Sequence, residues 1–139
     1  MLRLLALCLA LAAPAVAHSA VTADDVEAIR AVINRQIDAF RRDDAREAFA
    51  LVSPDVQETF GTPERFLNVV RVSYRAVYRP ASIAFLRLTV MGHDAVQQVQ
   101  LTEHSGAVWV AYYAMQRQPD GTWRTNGCHL VQPSKSIST

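Results

Sequence analysis

Residues 82–131, SIAFLRLTVMGHDAVQQVQLTEHSGAVWVAYYAMQRQPDGTWRTNGCHLV, decide the fold, because their apolar positions recur every second residue. Ala84, Leu86, Leu88 and Val90 alternate with Ile83, Phe85, Arg87 and Thr89. Ala95, Gln97, Val99 and Leu101 alternate in the same way with Val96, Gln98, Gln100 and Thr102. A period of two means a strand whose faces differ. Gly92-His93-Asp94, residues 103–106 (EHSG) and Pro119-Asp120-Gly121 punctuate the run with turn-forming residues. Ala107 to Arg117 (AVWVAYYAMQR) is rich in β-formers on both faces, and Trp123 to Val131 supplies a last strand. Four strands joined by short turns predict an antiparallel meander.

Upstream the period changes. Val26, Ile29, Ile33, Ile37 and Phe40 fall three and four apart, one apolar stripe on a helix that ends near Arg42. Thr22 with Asp25 resembles a capping box, and Asp44 with Glu47 repeats it. Ser53-Pro54 and Thr62-Pro63 each place a cap residue before a proline at the first helical position, with Gly61 as a stop between them. The helix from Pro63 carries Phe66, Val69, Val70, Ser73 and Val77 on one side and is predicted to run to Tyr78, because Pro80 pushes Arg79 out of helical geometry. Residues 22–132 therefore predict a single α+β domain, N-terminal helices packed on a curved four-stranded antiparallel sheet, with 133–139 as a flexible tail. That order is the pattern of the nuclear-transport-factor-2-like cone.

The first 17 residues predict a signal peptide. Arg3 gives a positive end, Leu4 to Pro14 an apolar run too short to span a bilayer, and Ala15-Val16-Ala17 a small-x-small cleavage pattern, with a second option after Ser19. Cys8 follows bulky Leu7 inside the run, which argues against lipoprotein processing. An exported protein, periplasmic or secreted and with no membrane span after cleavage, is expected. The mature chain keeps Cys128 alone, so it closes no internal disulfide, and the thiol is expected buried and inert.

The chain carries 14 Lys+Arg against 13 Asp+Glu, which excludes a generic polyanion binder and hence a nucleic-acid role. The balance is uneven along the sequence. Ten acidic residues face five Arg between Asp24 and Glu64, and three acidic face eight basic from Arg65 onward. Halves so complementary either attract one another within the fold or across a dimer, or stand as solvated faces.

Four segments, IRAVINRQIDAF (29–40), ALVSPDVQETFGTPERFLNVV (50–70), YRAVYRP (74–80) and RQPDGTWRTNGCHLV (117–131), resemble domain-of-unknown-function family 4864, small exported bacterial proteins. The resemblance spans residues 26 to 133 and implies the nuclear-transport-factor-2-like fold. It implies no activity, because that cone hosts isomerases, dehydratases, binding proteins and scaffolds alike.

No motif fixes a reaction. His18, His93, His104 and His129 are too scattered for a metal set, and the chain has no phosphate-cradling glycine loop and no G-x-S-x-G, so neither metal nor cofactor is expected. Asp38, beside the Ile33/Ile37 stripe, and His129, on a strand, are the two groups that a buried acid or base would have to be. The aromatic set is more suggestive. Tyr74, Tyr78, Trp109, Tyr112 and Tyr113, with Arg79, are the candidates for a ligand site or an interface, since Tyr and Trp join an apolar body to a polar tip. Arg71, Arg75 and Arg79 recur every four residues; the acidic half, an anionic ligand or plain solvent answers them.

On this reading the chain is a binding or interaction protein for a small apolar or anionic ligand, with a cofactor-free enzyme of the cone type as the alternative. A homodimer through one sheet face is expected, because helices cover only one face. Either Val110 and Tyr112 or Trp109 and Tyr113 must then lie on the other.

Overall fold

Thr22 accepts a hydrogen bond from the Asp25 amide at 3.1 Å and starts the first helix of the computed structural model, which describes residues 21–133. The expected signal peptide and all of the expected tail after Pro133 lie outside the described residues. Helix α1 spans Ala23–Arg41 and α2 Ala45–Ala50, capped by the Asp44 carboxylate. Helices α3 (Pro54–Phe60) and α4 (Pro63–Ser73) begin at the Ser53 and Thr62 caps, and α5 is Arg75–Tyr78. The strands are β1 Ser82–Met91, β2 Asp94–Thr102, β3 Val108–Arg117 and β4 Trp123–Val131. Gly61 closes α3 with φ 78°, a backbone that glycine adopts without strain.

The strands pair antiparallel in the order β1-β2-β3-β4, the expected meander. Leu88, Gln97, Tyr113 and Cys128 fall in one cross-strand row. Register shifts between Phe85 and Leu88 and between Ala114 and Met115 bend the sheet, as extra residues in a ladder do. The α1 stripe of Ile29, Ile33, Ile37 and Phe40 is buried, together with Val99, Leu101, Ala111, Tyr113 and Met115 of the sheet. Full burial of one such side chain contributes about 1.5–3 kcal/mol, so this stripe seats the helix. The free edge of β4 is met by the segment before α3: Ser53 N–H donates to the Thr125 carbonyl at 2.8 Å, and Thr125 N–H to that of Leu51 at 2.9 Å.

One expected helix is two. At Tyr74 the backbone leaves the helical region (φ −128°, ψ 53°), so α4 ends one residue earlier and α5 takes a new direction. The apolar stripe 66/70/77 is real, but the break lets Ala76 and Val77 bury while α5 reaches α1 and β2. Tertiary packing overrides the continuous helical pattern. Arg71, Arg75 and Arg79 consequently do not share one straight helix.

Of the ion pairs among the described residues, Arg79–Asp43 at 3.0 Å and Arg117–Asp25 join the basic part of the chain to the acidic part. The remaining ones are internal to the acidic part. Among the described residues no helix is long and apolar enough to cross a membrane.

Candidate functional site

Where α1, α3 and α4 stand over β3 and β4, the side chains do not fill the space. A cavity of about 130 Å³ remains, with Gln36, Phe40, Phe66, Val70, Tyr113 and Thr125 at its buried end. Val56, Phe60, Val69, Tyr74 and Cys128 form a half-buried rim. Each element delivers its part for a local reason. The stripe of α1 carries Phe40 inward, with Gln36 one turn before it; the Thr62 cap and Pro63 start α4, whose Phe66 and Val70 line the cavity. Phe66 is the hub of the aromatic wall, with ring centroids 5.8 Å from Phe40, 5.8 Å from Phe49 and 5.3 Å from Phe60.

The polar atoms at the buried end are few and mostly spent. The Gln36 amide nitrogen donates to the Ala48 carbonyl at 3.0 Å and to Thr125 Oγ1 at 3.1 Å, and Thr125 Oγ1 donates to the Leu51 carbonyl at 3.3 Å. The Tyr113 hydroxyl is different: it is fully buried and bonded to none of the described residues. Burial, and secondarily the neighbouring Cys128, pushes its pKa well above the usual phenol value. Cys128 is half-buried as a residue rather than fully buried, and desolvation pushes its thiol up to about 12, so it is neutral near pH 7 and forms part of a cavity wall rather than of the packed core. Among the described residues no carboxylate, imidazole or guanidinium lines this space.

The six aromatic and basic candidates divide among three places. Tyr74 and Tyr113 meet at the cavity. Trp109 lies on the same strand face as Tyr113 but outside the cavity; its Nε1 donates to Glu103 Oε2 at 3.1 Å, beside an open hollow shared with Tyr74, Arg75 and His129. Tyr78 and Arg79 are locked to the acidic half. The Tyr78 hydroxyl donates to Asp43 Oδ1, Arg79 donates to Asp43 Oδ2 at 3.0 Å, and the guanidinium stacks 4.7 Å above the Tyr78 ring. The Tyr78 bond, then Arg79, holds the Asp43 carboxyl below its usual range, and the same bond raises the Tyr78 hydroxyl. Tyr112 stands on the outer face of the sheet, where its neighbours in register are Gln98 and His129.

Asp38 is exposed and pairs with Arg41 at 3.2 Å, and His129 is exposed on β4, so neither reaches the cavity. Sequence reasoning missed Gln36 and the Phe40/Phe60/Phe66 wall. Gln36 did carry a signal, since a polar residue three after Ile33 and four before Phe40 interrupts an apolar stripe.

The fold matches solved structures of nuclear-transport-factor-2-like proteins of unknown function. One from Silicibacter pomeroyi DSS-3 is 16% identical, with a TM-score of 0.57 over 82% of this chain and 100% of its own. One from Shewanella baltica OS155 is 15% identical, with a TM-score of 0.53 over 83% of this chain and 99% of its own. A third, from Burkholderia xenovorans LB400, is 14% identical, with a TM-score of 0.51 over 81% and 90%. At such identities the likeness establishes the α+β cone alone. No curated protein matches the chain. The family model described as a domain of unknown function (DUF4864) matches residues 22–137, and the chain belongs to that family.

Proposed function

We propose that this is an exported binding protein that holds a small molecule in the cavity of its cone, rather than an enzyme. The observation that carries the reading is the lining: a sizeable apolar hollow whose titratable side chains are tyrosines and one thiol, with Asp38 and His129 both elsewhere. General acid–base work near neutrality wants a carboxylate or imidazole within hydrogen-bond reach of the guest, and this cavity offers none. An anionic guest would find no guanidinium in it. Export is supported by the leader pattern of residues 1–17. The test is recovery of the protein from its native host. Its N-terminus should begin at His18 or Ala20, and mass spectrometry of the extract should reveal a stoichiometric small molecule. A full-length chain beginning at Met1 would defeat the export, and turnover lost on substituting Asp38 or His129 would restore the enzyme.

A homodimer through the outer sheet face belongs to the same reading. Val108, Tyr112 and Val131 are exposed there, and Val110 pairs in register with Val131. Gln98, Gln100 and Thr102 interleave with them, so the apolar patch is small and mixed.

A further inference from the structure

We infer that the guest of the cavity is a neutral, ring-sized molecule that donates one hydrogen bond, and that the side-chain oxygen of Gln36 receives it. This rests on the binding reading above and names its ligand class. The polarity of the buried end is set by a short relay. A backbone carbonyl can only accept, so the carbonyls of Ala48 and Leu51 fix the direction of the bonds that meet them. Thr125 Oγ1 gives its one hydrogen to Leu51 at 3.3 Å and can only accept from Gln36. Gln36 therefore turns its amide nitrogen to Thr125 at 3.1 Å and to Ala48 at 3.0 Å, which spends both N–H groups. Its Oε1 is left as an acceptor with no donor among the described residues. The unpartnered side-chain atoms that are sealed from solvent are Gln97 Oε1, the Tyr113 hydroxyl and Arg117 Nε. Gln36 Oε1 is not one of them. It keeps accessible surface on a residue only 3% exposed, and the cavity is the space that residue lines. What this end leaves unspent is thus acceptors, Gln36 Oε1 and the second lone pair of Thr125 Oγ1. A water seated there donates, and a guest that displaces it loses a bond unless it donates too. Charge and size narrow the class. No charged side chain lines the cavity among the described residues, and an unpaired ion taken out of water is strongly disfavoured. The hollow measures about 130 Å³, and an apolar cavity of ~150 Å³ admits a molecule the size of benzene.

The experiment titrates the mature chain and a Gln36→Met variant with phenol, pyridine and toluene at pH 8, read by calorimetry. All three probes are uncharged there and close to one ring in size. Phenol donates, pyridine only accepts, and toluene does neither. Phenol should bind the natural chain at least about 10-fold more tightly than pyridine, whose nitrogen would face an acceptor and forfeit its bond to water. Gln36→Met keeps the length of the side chain and removes the oxygen. It should weaken phenol about 3- to 10-fold, the ratio one neutral hydrogen bond supplies, and leave toluene unchanged. Unchanged toluene shows that the variant has kept its cavity; should the variant fail to fold, the phenol-to-pyridine ratio of the natural chain decides alone. Equal affinities or a preference for pyridine would overturn the donor class. Phenol affinity that survives Gln36→Met would place the anchor elsewhere, at Thr125 or on the rim at Tyr74 or Cys128, and overturn the assignment to Gln36. Both outcomes leave the binding reading in place. Silence of all three probes would bring down the binding reading itself.

Discussion

Asp25 works in two places at once: its amide completes the α1 cap, and its carboxylate pairs with Arg117 across the fold. Burial alone would raise that carboxyl, but the Thr22 hydroxyl, Arg117 and Trp123 outweigh it and hold the group below the usual value of 3.8. A depressed carboxyl stabilises the fold above its unfolded pKa and loses that contribution as pH falls through the folded one. Asp25→Asn should therefore cost about 1–2 kcal/mol at pH 7, the worth of a charge-assisted hydrogen bond. Urea midpoints of the two proteins should converge below pH 3.8. A gap that does not depend on pH would show that the side chain's shape and neutral hydrogen bonding, not its charge, matter. Cys128 has the opposite sign. Its thiol is raised from 9.0 to about 12, so it favours the fold below pH 9 and ceases to as pH rises toward 12. A thiol reagent at pH 8 should label native protein far more slowly than unfolded protein, whose cysteine has its ordinary pKa. Rapid stoichiometric labelling of the native chain would show that the cavity leaves the sulfur open to solvent.

Among the elements, α3 is short and has no buried residue of its own, so its placement depends on its cap. Ser53 is fully buried; its Oγ accepts from the Val56 amide at 3.3 Å and donates to Asn126 Oδ1 at 2.6 Å. Ser53→Ala removes the cap and strands the Asn126 oxygen, for an expected loss of about 2 kcal/mol in urea unfolding. Ser53→Thr should recover most of it. A loss under about 0.5 kcal/mol for the alanine would mean that α3 is held by the backbone bridge to Thr125 alone. The start of this helix was legible from Ser53-Pro54 because caps act over three residues. The end of α4 was not. The stripe 66/70/77 reads as one helix, and only the burial of Ala76 and Val77 beside α1 and β2 explains why Tyr74 breaks it.

At the scale of the molecule, a dimer through the outer face predicts about twice the chain mass by sedimentation at micromolar concentration. Tyr112→Glu on that face should give a monomer with unchanged circular dichroism. A strict monomer in the natural chain would leave the face to solvent, which its glutamines already suit. The charge asymmetry has a use inside one chain, where Arg79–Asp43 and Arg117–Asp25 tie the two parts together. The exposed Arg79–Asp43 pair contributes at most about 1 kcal/mol, so it orients the parts more than it holds them.

Element type, element order and family membership were all in the sequence by itself. Periods of two and of three to four, caps before prolines and turn residues act over a few residues and survive without the rest of the chain. Only the tertiary structure decided which face of β3 points inward, putting Trp109 and Tyr113 inside and Val110 and Tyr112 outside. It also decided that Gln36 turns from helix surface to cavity wall, that Tyr113 is left without a hydrogen-bond partner, and that Asp38 and His129 stay in solvent. A strand with β-formers on both faces does not encode its own inside. That follows from where helices 30 residues and more away come to rest, and a hollow is a property of what several elements together fail to fill.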